Sequence, residues 1–152
     1  MEKAPSVLAP IDENNVLVGI GNEIQKFELS SRNFTPLFKE HEQTVNCLIK
    51  LTSGLYASGS QDKTIRIWDI NSAECKGTLS GHSSMIWALC ECPNDSLLSV
   101  SDDKTANLWN MKYFSCISTL QKEKSELSAC CAISGGRVAT GGGSNSVKIF
   151  NV

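Results

Sequence analysis

An internal repeat of 41 residues constrains this chain more than any other feature of its sequence. Aromatic side chains mark the period without a gap, at Phe27, Trp68, Trp109 and Phe150. Polar residues keep the same spacing, in the pairs His41 and His82, Ser58 and Ser99, and Asp62 and Asp103. A period of about 20–50 residues is typical of arrays in which no repeat can bury its apolar face alone. The sequence therefore predicts a row of similar units that pack against one another.

Each unit is predicted to contain short strands and no helix. Residues 64–70 alternate apolar and polar side chains, which is typical of a strand with one exposed face. Residues 45–49 are apolar and β-branched, residues 55–60 are small and apolar, and residues 75–79 supply a further strand. Residues 61–63 have the composition and length of a tight turn. Four strands in about 41 residues match one blade of a β-propeller.

The two central units resemble the WD40 consensus. Residues 58–69 carry its Ser, turn Asp and Trp, Gly81-His82 carries its His, and residues 99–110 echo the pattern one period later. Period and residue types agree together, so the chain is similar to WD40-repeat proteins over its whole length. The outer units depart from the pattern, with Gly21 for Asp and Phe27 for Trp in the first and Glu123 for His, Ser144 for Asp and Phe150 for Trp in the last.

The resemblance implies an all-β fold, a WD40-type β-propeller segment of about four blades of four antiparallel strands. Within a single domain, 1–152, the units are 1–29 (partial), 30–70, 71–111 and 112–152. In WD40 order, each unit supplies the outer strand of one blade and then the three inner strands of the next. The last blade is therefore expected to lack its outer strand, because Met1 to Ser6 is short and Pro5 cannot donate to a ladder.

Ser, His and Asp occur together in both central units, a combination also found in hydrolase triads. The resemblance implies instead a structural network in which Trp, Ser, His and Asp are hydrogen-bonded in series. The two expected networks are His41, Ser58, Asp62 and Trp68, and His82, Ser99, Asp103 and Trp109. A buried indole N–H and a buried carboxylate both need partners. Because both histidines of the chain are used in this way, we expect no catalytic residues and no enzyme activity.

No metal or cofactor site is predicted. Cys90 and Cys92 lie two residues apart and Cys130 and Cys131 are adjacent, a spacing that disfavours zinc and favours small buried side chains. Gly141 to Ser144 resembles a phosphate-binding loop, but it has no P-loop lysine and opens no helix. A degenerate turn between strands is the preferred interpretation of that segment.

Charge and hydropathy favour an intracellular protein that binds neither nucleic acid nor membrane. The 14 basic and 16 acidic residues give a net charge of −2, and no basic cluster of the kind that binds nucleic acid stands out. No apolar run approaches the roughly 18 residues of a membrane span. The first ten residues lack the pattern of a signal peptide, so the seven cysteines are expected to be reduced, in the cytoplasm or nucleus.

The resemblance also implies a partner-binding top face, formed by positions three and five residues after the His and one before the turn Asp. These positions are Thr44, Asn46 and Gln61 in the second unit, Met85, Trp87 and Asp102 in the third, and, by register alone, Glu126, Ser128 and Gly143 in the fourth. Trp87 stands out because its counterparts are polar, which predicts a solvent-facing side chain. An exposed Trp beside Met85 fits an interface hot spot. The alternative is that Trp87 packs against a neighbouring blade.

The expected function is that of a non-catalytic scaffold that binds other proteins through this top face. The alternative is a purely architectural segment of a larger propeller or assembly, because an arc of four blades leaves an apolar face bare at each end. A second copy of the chain, or further blades, would then close the ring. Two arcs of four blades would give eight, within the range of about 4–8 known for propellers.

Overall fold

The chain folds into short strands joined by turns. The structure, a computed structural model, describes residues 4–122, 124–144 and 146–152, and in these ranges it contains fifteen strands and no helix. The first eight strands are β1 (Pro5–Pro10), β2 (Asn15–Ile20), β3 (Glu23–Glu28), β4 (Asn33–Phe38), β5 (Val45–Lys50), β6 (Tyr56–Ser60), β7 (Thr64–Asp69) and β8 (Glu74–Ser80). The others are β9 (Ile86–Cys92), β10 (Ser96–Ser101), β11 (Thr105–Asn110), β12 (Ser115–Lys122), β13 (Leu127–Ile133), β14 (Arg137–Gly142) and β15 (Val147–Asn151).

These strands form four antiparallel sheets, each in the simple order of the chain. Strands β1–β4, β5–β8 and β9–β12 make three four-stranded sheets, and β13–β15 make a sheet of three strands. The predicted all-β fold is confirmed, and so is the three-stranded last blade. Residues 30–70 supply β4, which closes the first sheet, and then β5–β7, which begin the second. The repeat in the sequence is thus offset by one strand from the sheets.

The sheets follow one another around a common axis, with β1, β5, β9 and β13 innermost and packed side by side. Each sheet has two different faces. We call the face toward the preceding sheet the leading face and the face toward the following sheet the trailing face. In the second sheet the leading face carries Tyr56 and Trp68 as cross-strand partners, and the trailing face carries Ala57 and Ile67. Every junction therefore joins a trailing face to a leading face.

Three separate apolar clusters fill the three junctions between sheets. The first joins Leu17 and Ile24 to Tyr56 and Trp68, and the second joins Ile65 and Ile67 to Leu97 and Trp109. The third contains Leu98, Leu108, Leu127 and Val138. Burial of a large aromatic side chain removes roughly 150–250 Å² from water. The core of this chain is consequently distributed between neighbouring sheets, as the repeat predicts.

Close approach of the sheets requires a residue without a side chain at one point of β6. A Cβ atom added to Gly59 would lie 2.7 Å from Cys47 Sγ and 2.7 Å from Ile86 Cγ2, closer than packed atoms come. Ile86 belongs to the next sheet, so this glycine lets β6 and β9 approach each other across the second junction.

The first sheet departs from the repeat in its central hairpin. Only Gly21 and Asn22 separate β2 from β3, whereas three residues separate β6 from β7. Gly21 adopts a φ of 60°, the left-handed conformation that tight turns require. Through the strand pairing, Val18 takes the position that Ser58 has in the second sheet. This hairpin therefore has no hydroxyl with which to build the predicted type of network.

Candidate functional site

Hydrogen bonds connect the four polar side chains singled out in the second unit. Trp68 Nε1 donates to Ser58 Oγ at 2.7 Å, Ser58 Oγ lies 2.7 Å from His41 Nε2, and His41 Nδ1 lies 2.7 Å from Asp62 Oδ2. Ser58 sits in the middle of β6 and Trp68 near the end of β7, and the tight turn between these strands holds Asp62. The residues come together because the β6–β7 hairpin folds beside the segment that precedes β5.

The third sheet repeats this arrangement one period later. Trp109 Nε1 donates to Ser99 Oγ at 2.7 Å, and the distances from His82 to Ser99 Oγ and Asp103 Oδ2 are 2.6 and 2.8 Å. In the last sheet, Thr140 is buried at the position of Ser58, but Ser144 is exposed and bonds to Ser146. Glu123, which was expected to replace the His there, lies outside the described residues.

The burial of both histidines favours their neutral form. Burial lowers the pKa of His41 and of His82 below 6.5, although the hydrogen bonds and charges of Asp62 and Asp103 act in the opposite direction. Each Ser Oγ accepts the indole N–H and has its own proton left to donate to Nε2. Each His then donates from Nδ1 to its Asp. The direction of every hydrogen bond in the series follows from these constraints.

The aspartates are the most heavily bonded members of the networks. Asp62 accepts from the backbone N–H groups of Glu42 and Thr64 at 3.0 and 2.9 Å, and from Thr64 Oγ1 at 2.6 Å, as well as from His41. Burial raises the pKa of Asp62, but the hydrogen bonds from Thr64 and His41 outweigh it, and the pKa lies below its ordinary value. The carboxylate thus ties the β4–β5 loop to the β6–β7 turn.

Several members of this arrangement were missed at the sequence level. Thr64 and Thr105 both donate to an Asp, and Ser60 and Ser101 both accept the backbone N–H of that Asp. All four recur with the same period of 41 residues, which is the signal that would have revealed them.

The geometry of Ser58 differs from that of a nucleophile. Its side chain is fully buried between two sheets, and its Oγ already accepts the indole N–H of Trp68. A nucleophile needs a free line of attack to a bound substrate. The same description holds for Ser99, which is also fully buried and bonded to Trp109.

Backbone hydrogen bonds join the segments that carry the predicted top-face residues. The backbone N–H of Gln61 donates to Thr44 O at 2.9 Å, that of Asp102 to Met85 O at 3.1 Å, and that of Gly143 to Glu126 O at 3.0 Å. In each of these sheets, the residue before the turn Asp position therefore lies beside the residue three places after the His position. We call the surface formed by these predicted positions the upper surface; its residues are Thr44, Asn46, Gln61, Met85, Trp87, Asp102, Glu126, Ser128 and Gly143.

Trp87 is exposed on this upper surface, with 38% of its area accessible to solvent. Its Nε1 donates to Asp102 Oδ1 at 2.5 Å, and this hydrogen bond restricts the orientation of the exposed ring. Asn46, the counterpart of Trp87, is half-buried and donates from Nδ2 to Ile86 O at 3.0 Å. Asn46 is thus directed toward the junction with the third sheet. Its Oδ1 also lies 3.5 Å from Gln61 Nε2.

Cysteines and acidic groups make no other site in the described residues. All seven cysteines are free thiols, and no group of His, Cys, Asp and Glu side chains in residues 4–122, 124–144 and 146–152 is arranged to hold a metal ion. Burial raises the pKa of Cys47 to about 12, so this thiol remains protonated. Over the same ranges, no helix is long and apolar enough to cross a membrane.

Comparison with known families agrees with this architecture. The model of the WD domain, G-beta repeat, matches residues 32–69 and 73–110, together half of the chain. The chain belongs to the WD40 family. WD40 propeller domains are generally protein-interaction scaffolds and are generally non-catalytic.

The WD40 chain is also similar in sequence to parts of larger proteins. Myosin heavy chain kinase C of Dictyostelium discoideum is 32% identical over 79 residues, which are 52% of this chain and 10% of that protein. Nuclear distribution protein PAC1 of Mycosarcoma maydis is 52% identical over 42 residues, 28% of this chain and 9% of that protein. The chain thus spans about a tenth of the length of these relatives.

Solved structures show the same fold for the whole WD40 chain. The RRP9 WD40 repeats superpose with a TM-score of 0.85 at 24% identity, covering 100% of this chain and 49% of theirs. The computationally designed Ika4 protein has a TM-score of 0.85 at 22% identity and is covered over 93% of its chain.

Removal of one network hydroxyl should destabilise the WD40 fold. Ser58→Ala leaves the N–H of Trp68 and the Nε2 of His41 without partners in a dry junction, which should cost about 2 kcal/mol. Urea unfolding measures this loss, and Ser53→Ala in an exposed loop is the matched control. An unchanged unfolding midpoint for Ser58→Ala would show that the network does not contribute to stability.

Acidification should destabilise the chain before its ordinary carboxylates titrate. Since the pKa values of His41 and His82 are lowered in the folded state, the unfolded chain binds more protons below about pH 6.5. The free energy of unfolding should therefore fall as the pH drops from 7 toward about 5. Melting temperatures measured across this interval test the effect. The double variant His41→Gln, His82→Gln should melt lower at pH 7 but with a flatter pH dependence, and an equally steep dependence would assign the effect to other groups.

Proposed function

We propose that this WD40 chain is a non-catalytic scaffold that binds another protein through its upper surface, with Trp87 at the centre of the contact. The observation that carries the proposal is the exposed, hydrogen-bonded ring of Trp87. Asp102 accepts the hydrogen bond from the ring and donates its backbone N–H to Met85 O, and Thr44, Asn46 and Gln61 are the corresponding residues of the neighbouring sheet. Tryptophan is among the residues most enriched at energetic hot spots of protein interfaces.

The hydrogen bond that orients the ring supports a binding role. A side chain that is already immobilised loses little conformational entropy when a partner covers it. Trp87 is held by Asp102, and Asp102 is held in turn by its backbone bond to Met85. The adjacent turn residue, Asp103, is anchored by His82. The buried network of the third sheet is thus connected, through Asp103 and Asp102, to the exposed ring.

The chemistry of this platform favours a particular kind of partner. An indole face next to a carboxylate suits a segment that presents an apolar side chain beside Arg or Lys. The cation stacks on the ring and pairs with Asp102, and such contacts contribute about 0.5–2 kcal/mol. We therefore propose a peptide or loop of mixed apolar and basic character as the occupant.

A second candidate function, an architectural segment of a larger assembly, is favoured by a different surface. The outer faces of the first and last sheets expose apolar side chains, with Leu8 and Val147 more than half exposed. Exposed apolar patches of this kind are typical of contacts between proteins. The two functions use separate surfaces and are compatible in one molecule.

Replacement of Trp87 tests the scaffold function. Trp87→Ala should weaken binding by at least about 30-fold, which corresponds to about 2 kcal/mol, and should leave the melting temperature nearly unchanged. Peptides selected from a displayed library against the wild-type chain supply the ligand, and calorimetry measures their affinity. The intrinsic fluorescence of Trp87 should also shift on binding, because Trp68 and Trp109 are buried.

Tyr113→Ala is the matched control, because Tyr113 is an exposed aromatic residue on the β11–β12 turn, away from the upper surface. It should bind the selected peptides as the wild type does. Equal affinity of Trp87→Ala and the wild type for every selected peptide would contradict the proposal. A large loss of stability in Trp87→Ala would indicate a packing role instead.

A further inference from the structure

The two outermost sheet faces of the chain are apolar and exposed. One is a leading face and the other is a trailing face. The leading face of the first sheet carries Leu8, which is 65% exposed, together with Phe27 and Phe34. The trailing face of the last sheet carries Val147 and Ile149, which are 73% and 58% exposed. In the described residues β13 does not pack against β1 as the other neighbouring inner strands pack, so the row of sheets is an open arc.

Strand pairing identifies the residues of the last sheet that are equivalent to the trailing face of the second sheet. Val147 and Ile149 pair with Gly141 and Ala139, as Ile65 and Ile67 pair with Gly59 and Ala57. Ile65 and Ile67 lie on the trailing face that packs against the third sheet. The last sheet therefore carries the type of surface that, elsewhere in this chain, covers a leading face.

The leading face of the first sheet matches its internal counterparts in the same way. Phe27 pairs with Val16 as Trp68 pairs with Tyr56. Leu8 pairs with Val18 as Leu48 pairs with Ser58. Tyr56, Trp68 and Leu48 receive the trailing face of the preceding sheet. By this correspondence, Leu8, Val16 and Phe27 form a face that is suited to receive another trailing face.

A polar contact recurs at the inner end of the first two junctions, whereas at the third Trp87 bonds to Asp102 of its own sheet. Each inner strand has a bulge near its start, at Ser6, Asn46, Trp87 or Ser128. Ser6 Oγ donates to Val45 O at 3.0 Å across the first junction, and Asn46 Nδ2 donates to Ile86 O at 3.0 Å across the second. Ser128 is exposed at the corresponding place on the last sheet. In the first sheet, Pro5 takes the position that corresponds to Val45 and Ile86. Proline has no N–H, but its carbonyl oxygen can accept a hydrogen bond as those of Val45 and Ile86 do.

A glycine also stands where a further sheet would approach. Gly141 pairs with Ala129 as Gly59 pairs with Cys47. A Cβ at Gly59 would meet Ile86 of the next sheet at 2.7 Å, whereas a Cβ at Gly141 would come no nearer than 3.9 Å to the atoms around it, the nearest being Ser146 O. The last sheet thus has the clearance for close approach of a neighbour that the described residues do not supply.

We propose that two copies of this chain close an eight-bladed ring, in which the trailing face of the last sheet of each copy packs on the leading face of the first sheet of the other. Two arcs of four sheets give a blade number within the range of about 4–8. The two new junctions are identical and are related by a two-fold axis, so the trailing-to-leading contact closes after two copies. In each junction the Ser128 hydroxyl donates to the Pro5 carbonyl of the other copy. This ring is independent of any ligand at Trp87.

The mass of the chain in solution is the first test. Light scattering or sedimentation should give twice the 16.5 kDa of one chain, with no larger species as the concentration rises. A monomer at all concentrations would overturn the proposal. Species that grow with concentration would overturn it as well, because they indicate an open contact that does not close.

Substitutions on either face should halve this mass. Val147→Lys and Leu8→Glu each place a charge in both junctions of the ring, and the exposure of these side chains leaves the fold of one chain intact. Gly141→Arg is a further variant, because the added side chain has space in the single chain but would clash with the other copy in the ring. Tyr113→Lys, at a residue that is 69% exposed but on neither face, should retain the doubled mass. Circular dichroism verifies folding of each variant, and a folded set of face variants that all remain dimeric would overturn the proposal.

A mixture of the two charge variants gives the sharpest test. In a ring with one Val147→Lys chain and one Leu8→Glu chain, one junction contains both introduced charges and the other contains two native faces. The counterparts of these positions share a cluster at the first two junctions, as Ile24 with Leu48 and Ile65 with Leu89. Mixing should therefore restore the doubled mass. Failure of the mixture to associate, with wild type dimeric, would exclude the trailing-to-leading ring.

Discussion

The need of a buried indole N–H for an acceptor determines much of this structure. Trp68 and Trp109 fill the junctions between sheets, where water cannot satisfy their nitrogens. Serine supplies the acceptor in each case, and its own proton then requires a neutral histidine. The histidine requires a carboxylate on its other nitrogen, and that carboxylate collects the backbone N–H groups of the adjacent turn and loop. A packing requirement in the core thereby fixes the geometry of the surface above it.

In the described residues, the first and last sheets do not show this network, and the comparison indicates what depends on it. The first sheet has Phe27 in place of Trp, which has no N–H to satisfy, and its hairpin accommodates Val18 and a shorter turn. The last sheet keeps a buried hydroxyl at Thr140 but has Phe150 on the neighbouring strand. Aromatic packing is thus retained in all four sheets, while the anchored turn belongs to the two central sheets. Both the exposed Trp87 and its support, Asp102, lie on one of these central sheets.

Much of the fold and of the network was predictable because residues that lie one period of 41 apart in the central units take equivalent places in successive sheets. The resemblance of the repeat to the WD40 pattern grouped His41, Ser58, Asp62 and Trp68, and the structure brings them within hydrogen-bonding distance. The direction of the Asn46 side chain was not predictable from the same spacing. It lies at a bulge, where orientation depends on the neighbouring sheet and on which acceptor that sheet presents. The shortened hairpin of the first sheet was also missed, since the aromatic period runs through it unchanged.

The bulge that carries Ser6, Asn46, Trp87 and Ser128 has a consequence for how such a chain acquires new binding properties. A residue at a bulge stands outside the ladder, so its identity is freed from the demands of strand pairing. In one sheet this position links two sheets together, and in the next it displays an indole to the solvent. The choice of side chain at this position therefore decides whether it joins two sheets or is presented to the solvent, while the backbone pairing on either side stays the same. Every additional sheet in such a repeat adds one more position of this kind.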